Sequence, residues 1–444
     1  MRKTWLAISL TTLGAFVFSS SLIAAPARGK AKAPRKAPAA AVPADGPAEI
    51  ALGHQLEEDR VARIMPLIDA FNNQHKDVRV TLVRRAAGEA PKQLNLVTSA
   101  EREQFVAQRA RFRPLHAIMK AAKIPFDARK LSPALRGGLT DGRGQLSALP
   151  LAFSTPVLYI NKAAFRKAGL NPDTPPKTWE QMQDTAGALY ASGVTCPFTT
   201  SWPVWVFIDN LSAWDGVSVS DAKGRPTFNS LPQVKHIAMM ASWVKANYFH
   251  PAGRRDEADK RFASGECAML TSASSLYPQL LANKAVEAGV SALPYHDDVY
   301  GAPKNTLADG ASLWVLDKLS PAQNRGVAQF VNYLLSPEVQ VKMTTAGGFL
   351  PLTPVAKATA SSSLLDQDMA ALRVAEGQLS QHAVMPKLRP AQNERMRIVI
   401  DEELEAVWAN RKPAKEALDN AVARTQALVS SGGARAPAKG KRKK

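Results

Sequence analysis

Two tryptophans carry the side chains best suited to holding a small polar molecule. Trp202 and Trp205 stand three residues apart, with Pro203 between them. Two indoles this close in a loop could stack on the C–H faces of a small polyol while their N–H groups donate hydrogen bonds. Core packing is the usual role of tryptophan, so the residue types alone favour a structural role for this pair.

Arg397 carries the second kind of chemistry, the recognition of an anion. A planar guanidinium can hold a phosphate through two parallel hydrogen bonds. The alternative is an ion pair with Asp401, Glu402 or Glu403, which follow it on the same predicted helix. The arginine by itself leaves both interpretations open.

The sequence lacks the motifs of common enzymes. Its seven histidines stand singly and form no HExxH pair, so a metal site is not expected. There is no P-loop, no dinucleotide-binding glycine pattern in a strand–helix setting and no G-x-S-x-G turn. The acidic run 401–403 is typical of the solvated side of a helix. We therefore expect a protein that is not an enzyme and holds neither a metal nor a cofactor.

The elements around these residues alternate between strand and helix. Residues 157–160 form a short apolar run that is typical of a strand buried on both faces. Asn161 can cap a following helix, and Gly169 can end it in a left-handed conformation. Thr178 begins a capping box for a second helix. Similar alternation along the rest of the chain predicts an α/β architecture.

The chain begins with a pattern typical of a secretory signal peptide. Arg2 and Lys3 precede an apolar stretch at residues 5–18, and residues 25–27 read Ala-Pro-Ala. We expect cleavage after residue 27 and a mature protein that is exported to the periplasm. No later apolar run is long enough to cross a bilayer.

A basic segment flanks the folded part at each end. The first is rich in proline and alanine, and the second is rich in glycine. Residues 28–49 are predicted to be a disordered linker and residues 431–444 a disordered tail. Residues 1–49 and 431–444 carry +5 and +6 of the formal charge of +19, which leaves +8 for residues 50–430. Weak contact with anionic envelope surfaces is one interpretation of these ends, and simple solvation is the other. No specific nucleic acid is expected as a partner.

Cys196 and Cys267 are the two cysteines of the chain. An oxidising compartment allows a disulfide between them. Two buried thiols are the alternative, because cysteine often serves as a small core residue.

Several stretches match a known family in their order along the chain. These stretches are 154–182, 201–205, 210–214, 233–238, 265–269, 310–315 and 397–405. They resemble the extracellular solute-binding proteins of ABC importers, type-1 family, and among them the periplasmic sn-glycerol-3-phosphate-binding proteins. The resemblance implies a two-lobed periplasmic-binding-protein fold with a hinge and an interlobe cleft. Lobe 1 would comprise residues 50–155 and 275–335, and lobe 2 would comprise residues 156–274 and 336–430.

The resemblance also assigns ligand-binding residues. They are Ser154, Trp202, Trp205, Ser274, Gly310, Phe349 and Arg397. In this assignment the arginine and the two serines hold an anionic group, and the tryptophans form a wall against the carbon skeleton. Ser275 and Arg395 are the neighbouring alternatives for Ser274 and Arg397.

Three departures from the family pattern bear on the ligand. Phe349 stands where the family has a tyrosine, so one hydroxyl donor is lost. Residues 84–101 lack the family's tyrosine and glutamate, and Thr98 or Ser99 stands near the glutamate position. A Trp-His pair has become Gly53-His54. These departures predict weak binding of glycerol 3-phosphate. The ligand would then be a related phosphodiester or another small polar solute, or the contacts of the first lobe have been rebuilt.

The resulting prediction is a monomeric periplasmic component of an ABC importer. It would bind a small polar solute such as sn-glycerol 3-phosphate or a glycerophosphodiester and deliver it to the permease subunits in the membrane. The alternative is a diverged exported binding or adaptor protein that kept the scaffold and binds another carbohydrate-like solute or none.

Overall fold

The structure is a computed structural model that describes residues 46–379 and 394–432, except 57, 87–88, 100, 103–104, 106–110, 137–138, 141–142 and 304. The predicted signal peptide (1–27), the linker up to residue 45 and the tail from residue 433 lie outside the described residues. All elements below belong to the unit Pro47–Lys444. The first strand begins at Ala48, so the last two residues of the predicted linker, 48 and 49, lie in β1.

Nine strands are described. They are β1 (Ala48–His54), β2 (Val78–Arg84), β3 (Leu94–Val97), β4 (Leu149–Ser154), β5 (Pro156–Asn161), β6 (Cys196–Thr200), β7 (Cys267–Ala273), β8 (Ala288–Ala292) and β9 (Asp309–Val315).

Fifteen α-helices are described. They are α1 (Glu58–Gln74), α2 (Leu115–Ala121), α3 (Pro133–Arg136), α4 (Lys162–Lys167), α5 (Trp179–Ala191), α6 (Leu211–Asp215), α7 (Leu231–Lys245), α8 (Glu257–Ala263), α9 (Tyr277–Ala282), α10 (Pro321–Leu334), α11 (Pro337–Gly347), α12 (Pro354–Ser363), α13 (Asp366–Gln378), α14 (Glu394–Trp408) and α15 (Ala414–Gly432). Short 3₁₀ turns at Ala128–Lys130 and Ser274–Leu276 and a π-helical turn at Trp205–Asn210 complete the set.

The strands form two sheets, as the predicted α/β class requires. The first sheet has the order β2-β1-β3-β9-β4, with β9 antiparallel to both of its neighbours. The second sheet has the order β6-β7-β5-β8, with β5 antiparallel to both of its neighbours. The chain passes from the first sheet to the second at Thr155, which alone separates β4 from β5 and is fully buried. This crossing lies where the sequence predicts one.

Each sheet builds its own hydrophobic core. The first sheet packs against α1, α2, α10, α11 and α12 through residues such as Phe71, Ile118 and Val331. The second sheet packs on one face against α5, α7, α14 and α15, where Trp179, Phe198 and Leu404 lie. Its other face packs against α8 and α9 through Phe262 and Leu280.

The other two predicted lobe boundaries differ from the structure. Residues 288–292 were expected in lobe 1, but β8 pairs with β5 of the second sheet. Residues 337–363 were expected in lobe 2, but Val339, Met343 and Ala360 of α11 and α12 belong to the first core. The apolar periodicity of these segments marks them as buried, and it carries no information about which sheet they cover. The second crossing therefore lies between Leu293 and Asp309.

Local signals in the sequence match the local structure. The Asn161 side chain accepts hydrogen bonds from the backbone N–H groups of Ala163 and Ala164 and caps α4. Gly169 has φ 72°, the left-handed conformation expected at a helix end. Thr178 caps α5 by accepting from the Gln181 backbone, while the Gln181 side chain accepts from Lys177 rather than closing the predicted box. None of the described helices combines the length and the apolar character that a bilayer crossing requires.

Candidate functional site

A cavity of about 190 Å³ opens where the two cores meet. Its walls come from both cores and combine apolar, hydroxyl, carboxylate and guanidinium groups. The lining residues are Leu56, Ile64, Leu96, Thr98, Ser99, Ala152, Ser154, Trp202, Trp205, Arg255, Ala273, Ser275, Asp309, Gly310, Ala311, Phe349 and Arg397. Six of the seven residues predicted from the sequence to bind ligand are among them, and Ser274 is not.

The two tryptophans lie side by side in the wall formed by the second core. Trp205 is buried, and its indole Nε1 donates to the backbone oxygen of Leu307 at 3.1 Å. It begins a π-helical turn, a rare conformation that often occurs at functional sites. Trp202 is half-buried and has φ 55°. Trp205 is thus as buried as a core residue, whereas Trp202 is partly exposed, and both line the cavity.

Arg397 lies on α14 and is buried at the cavity. Its Nη2 donates to Asp309 Oδ2 at 3.1 Å and lies 4.0 Å from Asp209 Oδ2. Burial acts to lower the pKa of this guanidinium, but the charges of Asp309 and Asp209 outweigh it and raise the pKa. The ion pairs of Arg397 are thus made to residues far away in the sequence.

The neighbouring acidic run on α14 has other partners. Asp401 pairs with Arg255, and Glu402 and Glu403 pair with Arg424. The same-helix ion pair that sequence analysis considered for Arg397 is therefore replaced by contacts across the cavity.

Asp309 is the acidic residue of the cavity. It begins β9, directly opposite Ser154 of β4. Its Oδ1 accepts from Arg102 Nη2 at 3.0 Å and from the Gly310 backbone N–H at 2.8 Å. Burial acts to raise the pKa of Asp309, but Arg102 and Arg397 outweigh it and hold the pKa below its ordinary value. This carboxylate is therefore ionised at neutral pH and engaged on both oxygens.

Arg255 forms a further part of the cavity wall. Its guanidinium carbon lies 5.7 Å from the centre of the Trp202 ring, within the range of a cation–π contact. It also pairs with Asp401 at 3.3 Å and with Glu394. Burial raises the pKa of Asp401 to about 7, although Arg255 and Arg254 act against this shift. Arg255 thus connects the aromatic wall to the acidic face of α14.

Asp209 lies behind the cavity in the π-helical turn. It is fully buried, and its Oδ1 has no hydrogen-bond partner among the described residues. Burial raises its pKa to about 7, the positive charge of Arg397 opposes this and the negative charge of Asp309 adds to it. The group is therefore poised to gain or lose a proton near neutral pH.

Two of the three candidate serines line the cavity, and the third lies beside the point where the chain crosses between the sheets. Ser154 ends β4 at the cavity, and Ser275 follows β7 there. Ser274 is buried beside the crossing, where its Oγ accepts from the Thr155 backbone N–H at 3.3 Å. Gly348 brings Ser275 close to Phe349, because a Cβ on this glycine would lie 2.7 Å from the Ser275 Cα. Of the two neighbouring serines that the sequence left open, the second lines the cavity.

Gly310 and Phe349 also reach the cavity. A Cβ on Gly310 would lie 1.9 Å from the Ala152 carbonyl oxygen, so this close approach of β9 to β4 requires glycine. The Gly310 N–H donates to Asp309 Oδ1 and is therefore engaged within the protein. Phe349 packs against the first core and presents its half-buried ring to the cavity.

Sequence analysis missed Asp309, Arg102 and Arg255 as residues of the site. Asp309 directly precedes Gly310, so a carboxylate next to a predicted ligand residue was visible in the sequence. No sequence signal places Arg102 or Arg255 near the tryptophans. The described residues contain no group of three or more histidine, cysteine, aspartate or glutamate side chains that could hold a metal.

Cys196 and Cys267 are joined by a disulfide and are register partners in the parallel pair β6–β7. These two strands lead to Trp202 and to Ser275 respectively, so the bond lies at the far end of the strands that deliver cavity residues.

Comparison with known proteins places this architecture in a family. Residues 66–370 match the family model described as bacterial extracellular solute-binding protein. The chain is 34% identical to the sn-glycerol-3-phosphate-binding periplasmic protein UgpB of Pectobacterium atrosepticum, over 86% of this chain and 91% of that protein. It is also 34% identical to the UgpB of Yersinia enterocolitica, over 86% of this chain and 92% of that protein.

Solved structures share the fold. UgpB from Mycobacterium tuberculosis in complex with glycerophosphocholine matches with a TM-score of 0.70 and 18% identity, over 87% of this chain and 99% of that chain. The cyclic alpha-maltosyl-1,6-maltose binding protein of Arthrobacter globiformis matches with a TM-score of 0.69 and 18% identity, over 87% of this chain and all of that one. The fold is that of a periplasmic binding protein, and the chain belongs to the bacterial extracellular solute-binding protein family.

Proposed function

We propose that this chain is the periplasmic solute receptor of an ABC importer, and that its cavity binds a small phosphorylated polyol. sn-Glycerol 3-phosphate and glycerophosphodiesters are the proposed ligands. The observation that carries this proposal is the meeting of Trp202, Trp205 and Arg397 in one cavity, although the arginine is remote from the tryptophans in sequence. The proposal is supported by the two UgpB relatives, which are named as sn-glycerol-3-phosphate-binding periplasmic proteins.

In this proposal each group has a separate task. Arg397 and the hydroxyls of Ser154 and Ser275 hold the anionic group, because guanidinium and hydroxyl donors suit phosphate oxygens. Trp202 and Trp205 cover the carbon skeleton. The protein binds and releases the solute without converting it, and it passes the solute to the permease subunits.

Calorimetric titration tests the ligand. The purified protein is titrated with sn-glycerol 3-phosphate, glycerophosphocholine and maltose, and its melting temperature is measured with each. Heat of binding together with thermal stabilisation by a phosphorylated solute supports the proposal. Absence of both effects for the phosphorylated solutes would contradict it.

A neutral, carbohydrate-like solute is the second candidate. One observation favours it: the positive charge of Arg397 is met by Asp309 and Asp209. Binding of maltose without binding of phosphorylated solutes would favour this candidate over the first. Absence of binding to every solute of a broad panel would favour the alternative of an exported adaptor protein that binds no solute.

Export is proposed to follow cleavage after residue 27. Amino-terminal sequencing of the protein recovered from the periplasm tests this directly. A first residue at Arg28 is expected, and a protein that retains residues 1–27 and stays with the membrane would contradict the prediction.

A further inference from the structure

Asp309 accepts a hydrogen bond from Arg397, the residue that is proposed to hold an anionic ligand. Its Oδ2 accepts from Arg397 Nη2 at 3.1 Å, and its Oδ1 accepts from Arg102 Nη2 at 3.0 Å. The same Oδ1 accepts from the Gly310 N–H at 2.8 Å. Three donors that could meet a phosphate are thus engaged by one carboxylate of the protein itself.

The carboxylate is held firmly in this place. The side chain of Asp309 is 15% exposed, and those of Arg102 and Arg397 are 8% and 6% exposed. Its backbone is fixed because β9 lies between β3 and β4 and approaches β4 closely at Gly310. Rotation of the Asp309 side chain would break its hydrogen bonds to both arginines, so a ligand that leaves these bonds intact binds beside the charge of Asp309.

The positive charges around the cavity are largely matched by carboxylates of the protein itself. Arg102, Arg255 and Arg397 supply three positive charges, and Asp309 together with Glu394 supplies two negative ones. Asp209 and Asp401 add negative charge as they ionise near neutral pH. The site therefore has little positive charge left over for a ligand that carries two negative charges.

We propose that Asp309 is a specificity-determining residue of the cavity, which disfavours doubly charged phosphate monoesters and admits polar solutes with one negative charge or none. This inference rests on the proposed function. A phosphate monoester carries a charge of about −1.5 to −2 at pH 7, whereas a phosphodiester carries a single negative charge. Because repulsion grows with the product of the charges and is strong where water is scarce, the monoester is penalised most.

The test compares the parent protein with Asp309→Asn by calorimetry. Asparagine keeps the size of the side chain and an oxygen that can accept from Gly310 and the arginines, while the charge is lost. The solutes are sn-glycerol 3-phosphate, glycerophosphoglycerol and maltose, which carry about two, one and no negative charges at pH 8. Asp309→Ser is the second variant, in case the first does not fold.

Asp127→Asn serves as the control for the loss of one negative charge outside the cavity. Asp127 pairs with Arg129 at 3.0 Å in an exposed ion pair, and it does not line the cavity. This variant is expected to bind all three solutes as the parent does.

We expect Asp309→Asn to raise the affinity for sn-glycerol 3-phosphate about ten-fold or more. The gain for glycerophosphoglycerol should be about the square root of that factor, and the affinity for maltose should change less than about two-fold. A ratio of monoester to diester affinity that stays within about two-fold of the parent's would overturn the inference and leave the proposed function standing. Absence of binding of both phosphorylated solutes to parent and variants would overturn the proposed function and this inference with it.

Discussion

Arg397 and Asp309 join the two cores across the cavity, with 3.1 Å between Nη2 of the arginine and Oδ2 of the aspartate. Arg397 lies on α14, which packs in the second core, and Asp309 begins β9 of the first sheet. Any motion of one core relative to the other must change this contact. The same pair therefore affects both the charge of the cavity and the geometry between the cores.

Arg397→Ala should abolish measurable affinity for phosphorylated solutes. The variant removes the guanidinium and leaves the carboxylate of Asp309 in the cavity wall, with Asp209 behind it, so an anion is repelled as well as unsupported. Titration calorimetry measures the affinity, and circular dichroism checks that the protein is folded. Arg397→Lys keeps the charge without the planar pair of donors and should bind with intermediate affinity.

Arg424→Ala provides the control for this substitution. Arg424 also pairs with two carboxylates, Glu402 and Glu403, but it lies outside the cavity. Its loss should leave affinity unchanged. Unaltered affinity in Arg397→Ala would show that the anion is held elsewhere.

Alanine substitution of the two tryptophans should separate binding from stability. Trp205 is buried and hydrogen-bonded to Leu307, so Trp205→Ala should lower the free energy of unfolding by about 3–5 kcal/mol. Trp202 is half-buried, so Trp202→Ala should cost much less stability while still weakening solute binding. Urea unfolding and calorimetry measure the two effects.

Trp202→Phe is the control, because it retains a ring and should recover part of the affinity. If both alanine variants lose the same stability and keep the affinity of the parent, both tryptophans have a purely structural role.

Ser274 and Ser275 form a matched pair of neighbours with different surroundings. Ser275 lines the cavity, whereas Ser274 Oγ accepts from the Thr155 N–H at the crossing between the sheets. Ser275→Ala should reduce affinity with little change in stability. Ser274→Ala should leave a buried N–H without this acceptor and lower stability by about 1–3 kcal/mol. The reverse pattern in calorimetry and thermal unfolding would show that Ser274 is the ligand-binding serine.

Asp209 should make stability depend on pH. An aspartate in the unfolded chain has a pKa near its ordinary value of about 4, whereas burial raises the pKa of Asp209 to about 7 in the folded protein. Between these values the folded protein holds a proton that the unfolded chain has lost, so the contribution of Asp209 to stability falls as pH rises and levels off above pH 7.

Asp209→Asn removes this titration. The free energy of unfolding of the variant, relative to the parent, should therefore increase by about 2–3 kcal/mol between pH 5 and pH 8. Asp401, whose pKa is also raised by burial, is present in both proteins, so its effect cancels in the difference. A constant difference across this range in urea unfolding would contradict the raised pKa of Asp209.

The disulfide should be a large contributor to the stability of the second core. It links residues 71 apart in the chain, and the loss of such a link should lower the free energy of unfolding by about 4 kcal/mol in the chain-entropy model. The double variant Cys196→Ala/Cys267→Ala tests this by urea unfolding. Equal stability of this variant and the oxidised parent would be the contrary result.

Much of the local structure could be predicted from the sequence. The apolar run at residues 157–160, the cap at Asn161 and the glycine at position 169 act through neighbouring backbone groups, so their consequences are set within a few residues. The same holds for the alternation of strands and helices that indicates the α/β class. The predicted lobe boundaries were wrong at β8 and α11. An apolar face shows that a segment is buried, but it does not show which sheet the segment packs against.

The chemistry of the cavity could be predicted only in part. Sequence motifs identified six lining residues, among them Trp202, Trp205 and Arg397. They did not identify Arg255, which reaches Trp202 from another part of the second core. Contacts of this kind depend on the length of the side chains and on the path of the folded chain, and the spacing of residues in the sequence gives no information about either.

The sequence by itself determined the element types, the first crossing between the sheets and the kinds of groups available for binding. Only the tertiary structure decided that Arg397 faces Asp309 rather than the acidic run on its own helix. It also decided that Ser275 lines the cavity and that the Gly310 N–H is already engaged. The physical reason is that capping and periodicity act between neighbours in the chain, whereas the charge of a site is the sum over residues that only folding brings together.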